Sequence, residues 1–300
     1  MKEKDPLVSI VVITYNSSKY VLETLESAKA QTYDNIELII SDDGSTDETI
    51  EICKDWLDKN RERFKYSKLI TVQINTGIPA NCNRGVSASS GEWIKTIAGD
   101  DMIHKDCIEN YLRFILQETN NTHFIYSNVI KIDSKSEIVK EHTENYEEFN
   151  VSFSNLSPEK QFNFLVNEHN KVWAATWMFS KILYNKVGGF NEKYRCFEDR
   201  PFLIEATRLG YKLNFLSTTG SYYRIHNDNL QKTNLILSCY QESKLRYTIN
   251  ELSYYISKSN LKKAKYTLYA KTFLKNKLNN KKTSFVIIML SFLKKFRKVF

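Results

Sequence analysis

The sequence predicts an α/β protein: a Rossmann-like, mostly parallel sheet flanked by helices, with a helical, basic C-terminal extension. Three observations carry this. Strand and helix signals alternate up to about residue 132; the strands are short, apolar and rich in β-branched side chains; and residues 261–300 hold twelve Lys/Arg and no Asp/Glu. Strands separated by helices imply right-handed βαβ crossovers and parallel pairing. An uninterrupted apolar strand is one covered on both faces.

Taken in order, "LVSIVVIT" (7–14) reads as the first buried strand and "SKYVLETLESAKAQ" (18–31) as a helix, with Tyr20, Val21, Leu25 and Ala28 at helical spacing. "IELIIS" (36–41) is a second strand. "DDGSTDETIEICKDWL" (42–57) then turns into a helix, with Ser45 and Glu48 spaced as a capping box and Asp42 and Asp43 left in the loop before it. "KLITVQI" (68–74) is a third strand, and "PANCNRGVSASS" (79–90) a weaker helix opening on Pro79. "EWIKTIA" (92–98) is the fourth strand, "HKDCIENYLRFILQE" (104–118) a helix and "HFIYSNVIKI" (123–132) a further strand. Residues 133–170 are polar and poorly patterned, a loop or hairpin with a helix near 158–167; residues 171–230 read as a smaller mixed region, and the chain is helical from about 235. There is no internal repeat.

Composition narrows the function classes. The chain is 42% hydrophobic and 13% aromatic, enough for a substantial core. Its net charge of +8 belongs to the tail, because 31 Lys/Arg face 35 Asp/Glu in residues 1–260. A slightly acidic body argues against a nucleic-acid-binding surface. The five cysteines (53, 82, 107, 196 and 239) show no metal-ligand spacing and are expected to be reduced thiols of a cytoplasmic protein. The N-terminus does not read as a secretory signal, and no run of 18 apolar residues predicts a membrane span.

In parallel sheets, ligands bind beyond the carboxyl ends of the strands. At those ends lie Thr14, Tyr15 and Asn16; Asp42 and Asp43; Asn75 to Gly77; and Asp100 and Asp101. Two adjacent carboxylates repel each other, and a divalent cation removes that repulsion while gripping a diphosphate. One of Asp100 and Asp101 then ligates the metal while its neighbour accepts from a ribose. Asp42 or Asp43 accepts from a base N–H or a ribose hydroxyl, and Tyr15 offers a flat face to the base. Neither G-x-G-x-x-G after the first strand nor a P-loop motif occurs, so the phosphates depend on a cation.

These residues run as "VSIVVITYN", "SDDGSTDET", "NTGIPANCNRG" and "GEWIKTIAGDD". In that order they resemble the nucleotide-binding half of family-2 glycosyltransferases of the GT-A fold, densely over residues 7 to about 110 and more sparsely to about 230. The resemblance implies a GT-A domain over 1–230, with a nucleotide-sugar-binding half (1–130) and an acceptor-binding half (131–230), then a helical C-terminal region (231–300). It implies an enzyme using a nucleoside-diphosphate sugar, usually a uridine one, with Mn²⁺ or Mg²⁺. Carried over, Tyr15 and Asp42/Asp43 hold the nucleoside, Asp100 lies near the ribose and Asp101 ligates the metal. There are departures: Ile13 stands where a proline is common, Ala98 replaces the first aspartate of D-x-D, and Cys82 replaces a frequent arginine, with Arg84 a possible substitute.

"VGGFNEKYRCFEDRPFLIEATRLGYKLNFL" resembles the acceptor region, with Asp199 at a helix start that Pro201 fits. By resemblance Asp199 is the base of an inverting displacement, with Glu198 as fallback, and His226 of "YYRIH" approaches the metal or diphosphate. Trp173 and Trp177 are either core or sugar-stacking. The tail "TSFVIIMLSFLKKFRKVF" (283–300) is expected to lie on an anionic membrane surface. The expected partners are the sugar donor, a glycan or lipid-linked acceptor and that membrane surface, with no nucleic acid. The expected location is the inner face of the cytoplasmic membrane, in capsule or lipopolysaccharide synthesis. The rival readings are a non-catalytic nucleotide-sugar-binding module and a sugar nucleotidyltransferase.

Overall fold

The computed structural model describes residues 5–117, 121–139, 147–168, 172–226, 235–277 and 280. The chain divides into two compact units, Met1–Glu192 with Glu198–Ile225, and Lys193–Phe197 with His226–Phe300. The first unit opens with β1 (Val8–Thr14), α1 (Val21–Lys29), β2 (Ile36–Asp42), α2 (Thr49–Asn60), β3 (Tyr66–Thr71), α3 (Ile78–Ser87) and β4 (Trp93–Ala98). It continues with β5 (Met102–Ile103), α4 (Cys107–Gln117), β6 (Phe124–Ile132), α5 (Glu147–Ser154), α6 (Pro158–Asn167), β7 (Met178–Ser180), α7 (Lys181–Val187), α8 (Asp199–Arg208) and β8 (Asn214–Arg224).

One eight-stranded sheet runs β3-β2-β1-β4-β7-β6-β8-β5. Its first four strands are parallel, and β1, β2 and β4 are buried on both faces as parallel strands usually are, while β3 is a partly exposed edge. The sheet then becomes mixed: β7 is antiparallel to β4 and to β6, β6 is parallel to β8, and β5 is antiparallel to β8. The core between sheet and helices is built from Val8, Ile10, Val12, Leu38 and Ile40 against Val21, Leu25, Cys53 and Trp56. Trp177 is buried elsewhere in the interior: it is 1% exposed and meets Phe124 edge-on and Phe202 stacked.

Two local expectations fail for identifiable reasons. The capping box of Ser45 and Glu48 does not form, because α2 starts only at Thr49 and Ser45 is consumed by Asp42. Asp47 serves that helix start instead, accepting from the Thr49 amide at 3.1 Å. Residues 147–154 form a helix where a loop or hairpin was expected. Phe149 and Phe153 stack there at 5.6 Å, and packing on Phe164 compensates for weak helical propensity.

The second unit contains α9 (Cys239–Asn250) and α10 (Lys258–Lys277). Tyr194 and Phe197 pack on Tyr247, and Lys193 pairs with Glu251 at 2.8 Å. This brings Cys196 onto Cys239, with Cα atoms 5.8 Å apart, and the two form a disulfide. That corrects the expectation of five reduced thiols; Cys53, Cys82 and Cys107 remain free and buried. The fold made the pairing, since a separation of 43 residues carries no signal of its own. Among the described residues no helix is long and apolar enough to cross a membrane. The tail 283–300 lies outside the described residues.

Candidate functional site

The site is built from the loops at the carboxyl ends of β1, β2 and β4. Parallel register sets Thr14 beside Asp42, and the Thr14 hydroxyl donates to the Asp42 carboxylate at 2.8 Å. Asp42 is buried and also accepts from the amides of Gly44 and Ser45 at 3.1 and 2.8 Å, and from the Ser45 hydroxyl. Four donors fill a carboxylate's acceptor sites, so Asp42 builds its own turn. Gly44 sits at φ 79°, a conformation that favours glycine.

The loop after β1 is tied to the loop after β2 residue by residue. Asn16, at φ 51°, donates its amide to Ser45 Oγ and accepts from the Thr46 amide, both at 2.8 Å. The Ser17 and Ser18 amides donate to Thr49 Oγ1 and Asp47 Oδ2 at 2.8 and 3.1 Å. The ring of Tyr15 stands out of this frame, 48% exposed.

Asp43 points toward the loop after β3. Its carboxylate accepts from the Thr76 amide at 3.0 Å, the Gly77 amide at 2.8 Å, the Thr76 hydroxyl and Arg84 Nη2 at 3.1 Å. Burial alone would push the Asp43 carboxyl up, but the Thr76, Gly77 and Arg84 donors hold it below the usual carboxylate range. Arg84 therefore has a definite partner, and its Nη1 also reaches Asn81 at 2.9 Å.

Beyond β4 the chain passes Gly99, where an added Cβ would come within 2.7 Å of Thr14 Cγ2. Asp101 follows, 4% exposed, accepting from the Arg224 amide at 2.9 Å, while its carbonyl accepts from the Thr24 hydroxyl at 2.7 Å. Asp100 is half-buried, and its carbonyl accepts from Arg224 Nε at 2.8 Å. Burial, and then the Asp100 charge, push the Asp101 carboxyl well above its ordinary value; the Arg224 amide and Lys95 oppose this. Lys95 is buried on β4, donating to the Ala175 carbonyl at 2.6 Å, and burial lowers it to about 8.

The pair fits a hard divalent cation. Oxygen is the right donor, and the Asp100–Asp101 repulsion is the term a cation relieves. Among the described residues no group of three or more His, Cys, Asp or Glu converges. A cation held there would leave its remaining coordination positions to water and substrate phosphate, which is the usual habit of Mg²⁺.

Asp199 opens α8, and the Arg200 amide donates to its Oδ1 at 2.6 Å. Arg200 fixes the helix start by donating to the carbonyls of Leu165 and Val166 at 2.8 and 3.0 Å. Burial, and then Asp199, raise Glu198 to about 8. The Cys82 thiol, pushed up by burial, also feels Glu198 and Asp43, so the α8 start and the loop after β2 are both within electrostatic reach of α3. His226 belongs to the second unit. Trp173 is partly exposed, with its ring 5.0 Å from Tyr223 and Lys131 Nζ 5.2 Å from its centroid. Sequence reasoning placed Thr76 at a strand end, within Asn75 to Gly77, but missed Arg224 and Glu23; the only available signal was a basic residue inside the aromatic strand "SYYRI".

Residues 9–188 match the family model described as glycosyl transferase family 2. The chain belongs to glycosyltransferase family 2. Among family relatives, a glycosyltransferase of Rickettsia typhi is 28% identical over 208 residues, covering 68% of this chain and 59% of its own length. The chain thus spans less than two thirds of that relative. The fold is GT-A. Staphylococcus aureus TarS in complex with UDP-GlcNAc superposes with a TM-score of 0.61 at 17% identity, covering 89% of this chain and 72% of TarS. The mannosyltransferase PcManGT of Pyrobaculum calidifontis, in complex with GDP-Man and Mn²⁺, gives 0.62 at 14% identity, covering 98% and 81%.

Proposed function

We propose that this family-2 chain is an inverting, metal-dependent glycosyltransferase. It moves a sugar from a nucleoside-diphosphate donor, with uridine as the nucleoside, to a hydroxyl of a glycan or lipid-linked acceptor in surface polysaccharide synthesis. The observation that carries this reading is the carboxylate pair beyond β4, half-buried Asp100 and buried Asp101, in the unit that also sets Asp42, Asp43 and Tyr15 at the neighbouring strand ends. The UDP-GlcNAc bound by TarS and the GDP-Man and Mn²⁺ bound by PcManGT support a nucleotide-sugar donor.

In this reading Tyr15 stacks on the base, Asp42 and Asp43 frame the nucleoside end, and Asp100 lies toward the ribose. Mn²⁺ or Mg²⁺, held by Asp101, would supply several kcal/mol of stabilisation to the charge on the departing diphosphate. Asp199 takes the proton from the acceptor hydroxyl, which attacks the anomeric carbon from the face opposite that diphosphate. The N-terminus of α8 favours its ionised form. Burial, and then Asp199, push Glu198 toward its protonated form, which lessens its repulsion of an ionised Asp199. The basic C-terminal region holds the enzyme at the inner face of the cytoplasmic membrane, where a lipid-linked acceptor would be presented.

The test is a panel of nucleotide sugars assayed with Mn²⁺ for release of nucleoside diphosphate. Asp199→Asn is expected to lower kcat by about 10²–10⁴ while donor binding persists. Pyrophosphate release from a nucleoside triphosphate would replace this reading with a nucleotidyltransferase. Donor binding without turnover would leave a binding module.

A further inference from the structure

A fully buried arginine needs a reason, because an uncompensated guanidinium in a protein interior is strongly unfavourable. Arg224, the last residue of β8, is 0% exposed. Its Nε donates to the Asp100 carbonyl at 2.8 Å. Its Nη1 donates to Ser136 Oγ at 2.8 Å and to the Asp133 carbonyl at 3.2 Å. Its Nη2 pairs with Glu23 on α1 at 2.9 Å. The guanidinium carbon lies 4.5 Å from the centroid of the Tyr20 ring. Meanwhile the Arg224 amide donates to Asp101 Oδ1 at 2.9 Å. A single residue thus touches both members of the carboxylate pair, one through its backbone and the other through its side chain. The Ser136 hydroxyl donates to the same Glu23 carboxylate, which closes the ring of contacts.

We propose that Arg224, braced by Glu23, is the positioning residue of the Asp100–Asp101 pair, fixing the peptide between two carboxylates that meet a divalent cation and the donor diphosphate. This rests on the metal reading given above. The guanidinium clamps the Asp100 carbonyl while β8 delivers the amide to Asp101, so the pair is oriented before any cation arrives. A rigid fork is required: Nε, Nη1 and Nη2 serve three chain segments in three directions, and a lysine ammonium has one nitrogen to offer. Glu23 is the accessible end of the device, its side chain 42% exposed, so it can be altered without opening the interior.

The experiment is titration calorimetry of UDP and of GDP, each with and without Mn²⁺, on the intact protein and on Arg224→Lys, Glu23→Ala and Asp101→Ala. The readout is the factor by which Mn²⁺ tightens nucleotide binding, which a general loss of fold would not change selectively. Loss of an outer-shell partner is expected to reduce that factor by about 10–100-fold in Arg224→Lys and in Glu23→Ala, with metal-free affinity unchanged. If both variants keep the full factor while Asp101→Ala abolishes it, the metal reading stands and the role of Arg224 falls. If Asp101→Ala also keeps it, or if the intact protein shows none, the metal reading falls and this proposal with it. Should Arg224→Lys fail to fold, Glu23→Ala decides alone.

Discussion

Replacing Asp43 by asparagine isolates the electrostatic part of the β2–β3 loop junction, because the side-chain volume is almost unchanged. The amide oxygen can still accept from the Thr76 and Gly77 amides, while the attraction to Arg84 at 3.1 Å is lost. Breaking a fully buried ion pair typically costs about 3–5 kcal/mol. The Arg84 side chain is 18% exposed and keeps Asn81, so water relieves part of this; the expected loss is about 2–3 kcal/mol. For a body of this size, each kcal/mol moves the midpoint by about 2–4 °C. The thermal transition of Asp43→Asn should therefore fall by about 4–12 °C at pH 7. The folded-state Asp43 carboxyl lies below its ordinary value of 3.8, so its stabilisation is complete above that value and is lost as pH falls through the lower folded one. The gap between the two proteins must then narrow on acidification below 3.8. Calorimetric scans of both proteins across that range give the answer. Coincident transitions at pH 7, or a gap indifferent to pH, would refute the argument.

Reducing the Cys196–Cys239 bridge, or replacing Cys239 by serine, should destabilise the protein by about 4 kcal/mol from loop-closure entropy over a 43-residue separation; denaturant unfolding with and without reductant measures it, and identical midpoints would reject it. Glu198 is raised from 4.5 to about 8 in the folded state, so it erodes stability as pH climbs through that window. Glu198→Gln should gain on the parent between those limits, and a constant difference would show that burial does not act as described. Gly99→Ala forces a methyl to 2.7 Å from Thr14 Cγ2. Overpacking of that kind typically costs about 1–3 kcal/mol, and an unchanged melting temperature would mean that the β1 end yields freely.

The parallel half of the sheet was readable because β1, β2 and β4 are buried on both faces and mostly apolar, and buried strands advertise themselves by composition. The carboxylates at their ends followed from the same pattern. What failed was whatever depends on a choice between local and distant partners. Ser45 has the spacing of a cap, yet Asp42, three residues before it, holds it more firmly. Helix α5 is written in phenylalanines whose partner Phe164 lies on another helix, so no local window reveals it. Arg224 and Glu23 are 201 residues apart, and nothing in either neighbourhood names the other. The disulfide was hidden for the same reason.

The lacing of Asn16, Ser17 and Ser18 to Ser45, Asp47 and Thr49 has a consequence for recognition. Segments already immobilised by the fold surrender little freedom when a guest arrives, so, on the function proposed above, these loops would meet a nucleoside as a stiff jaw. Discrimination there would then rest on shape and hydrogen-bond complementarity.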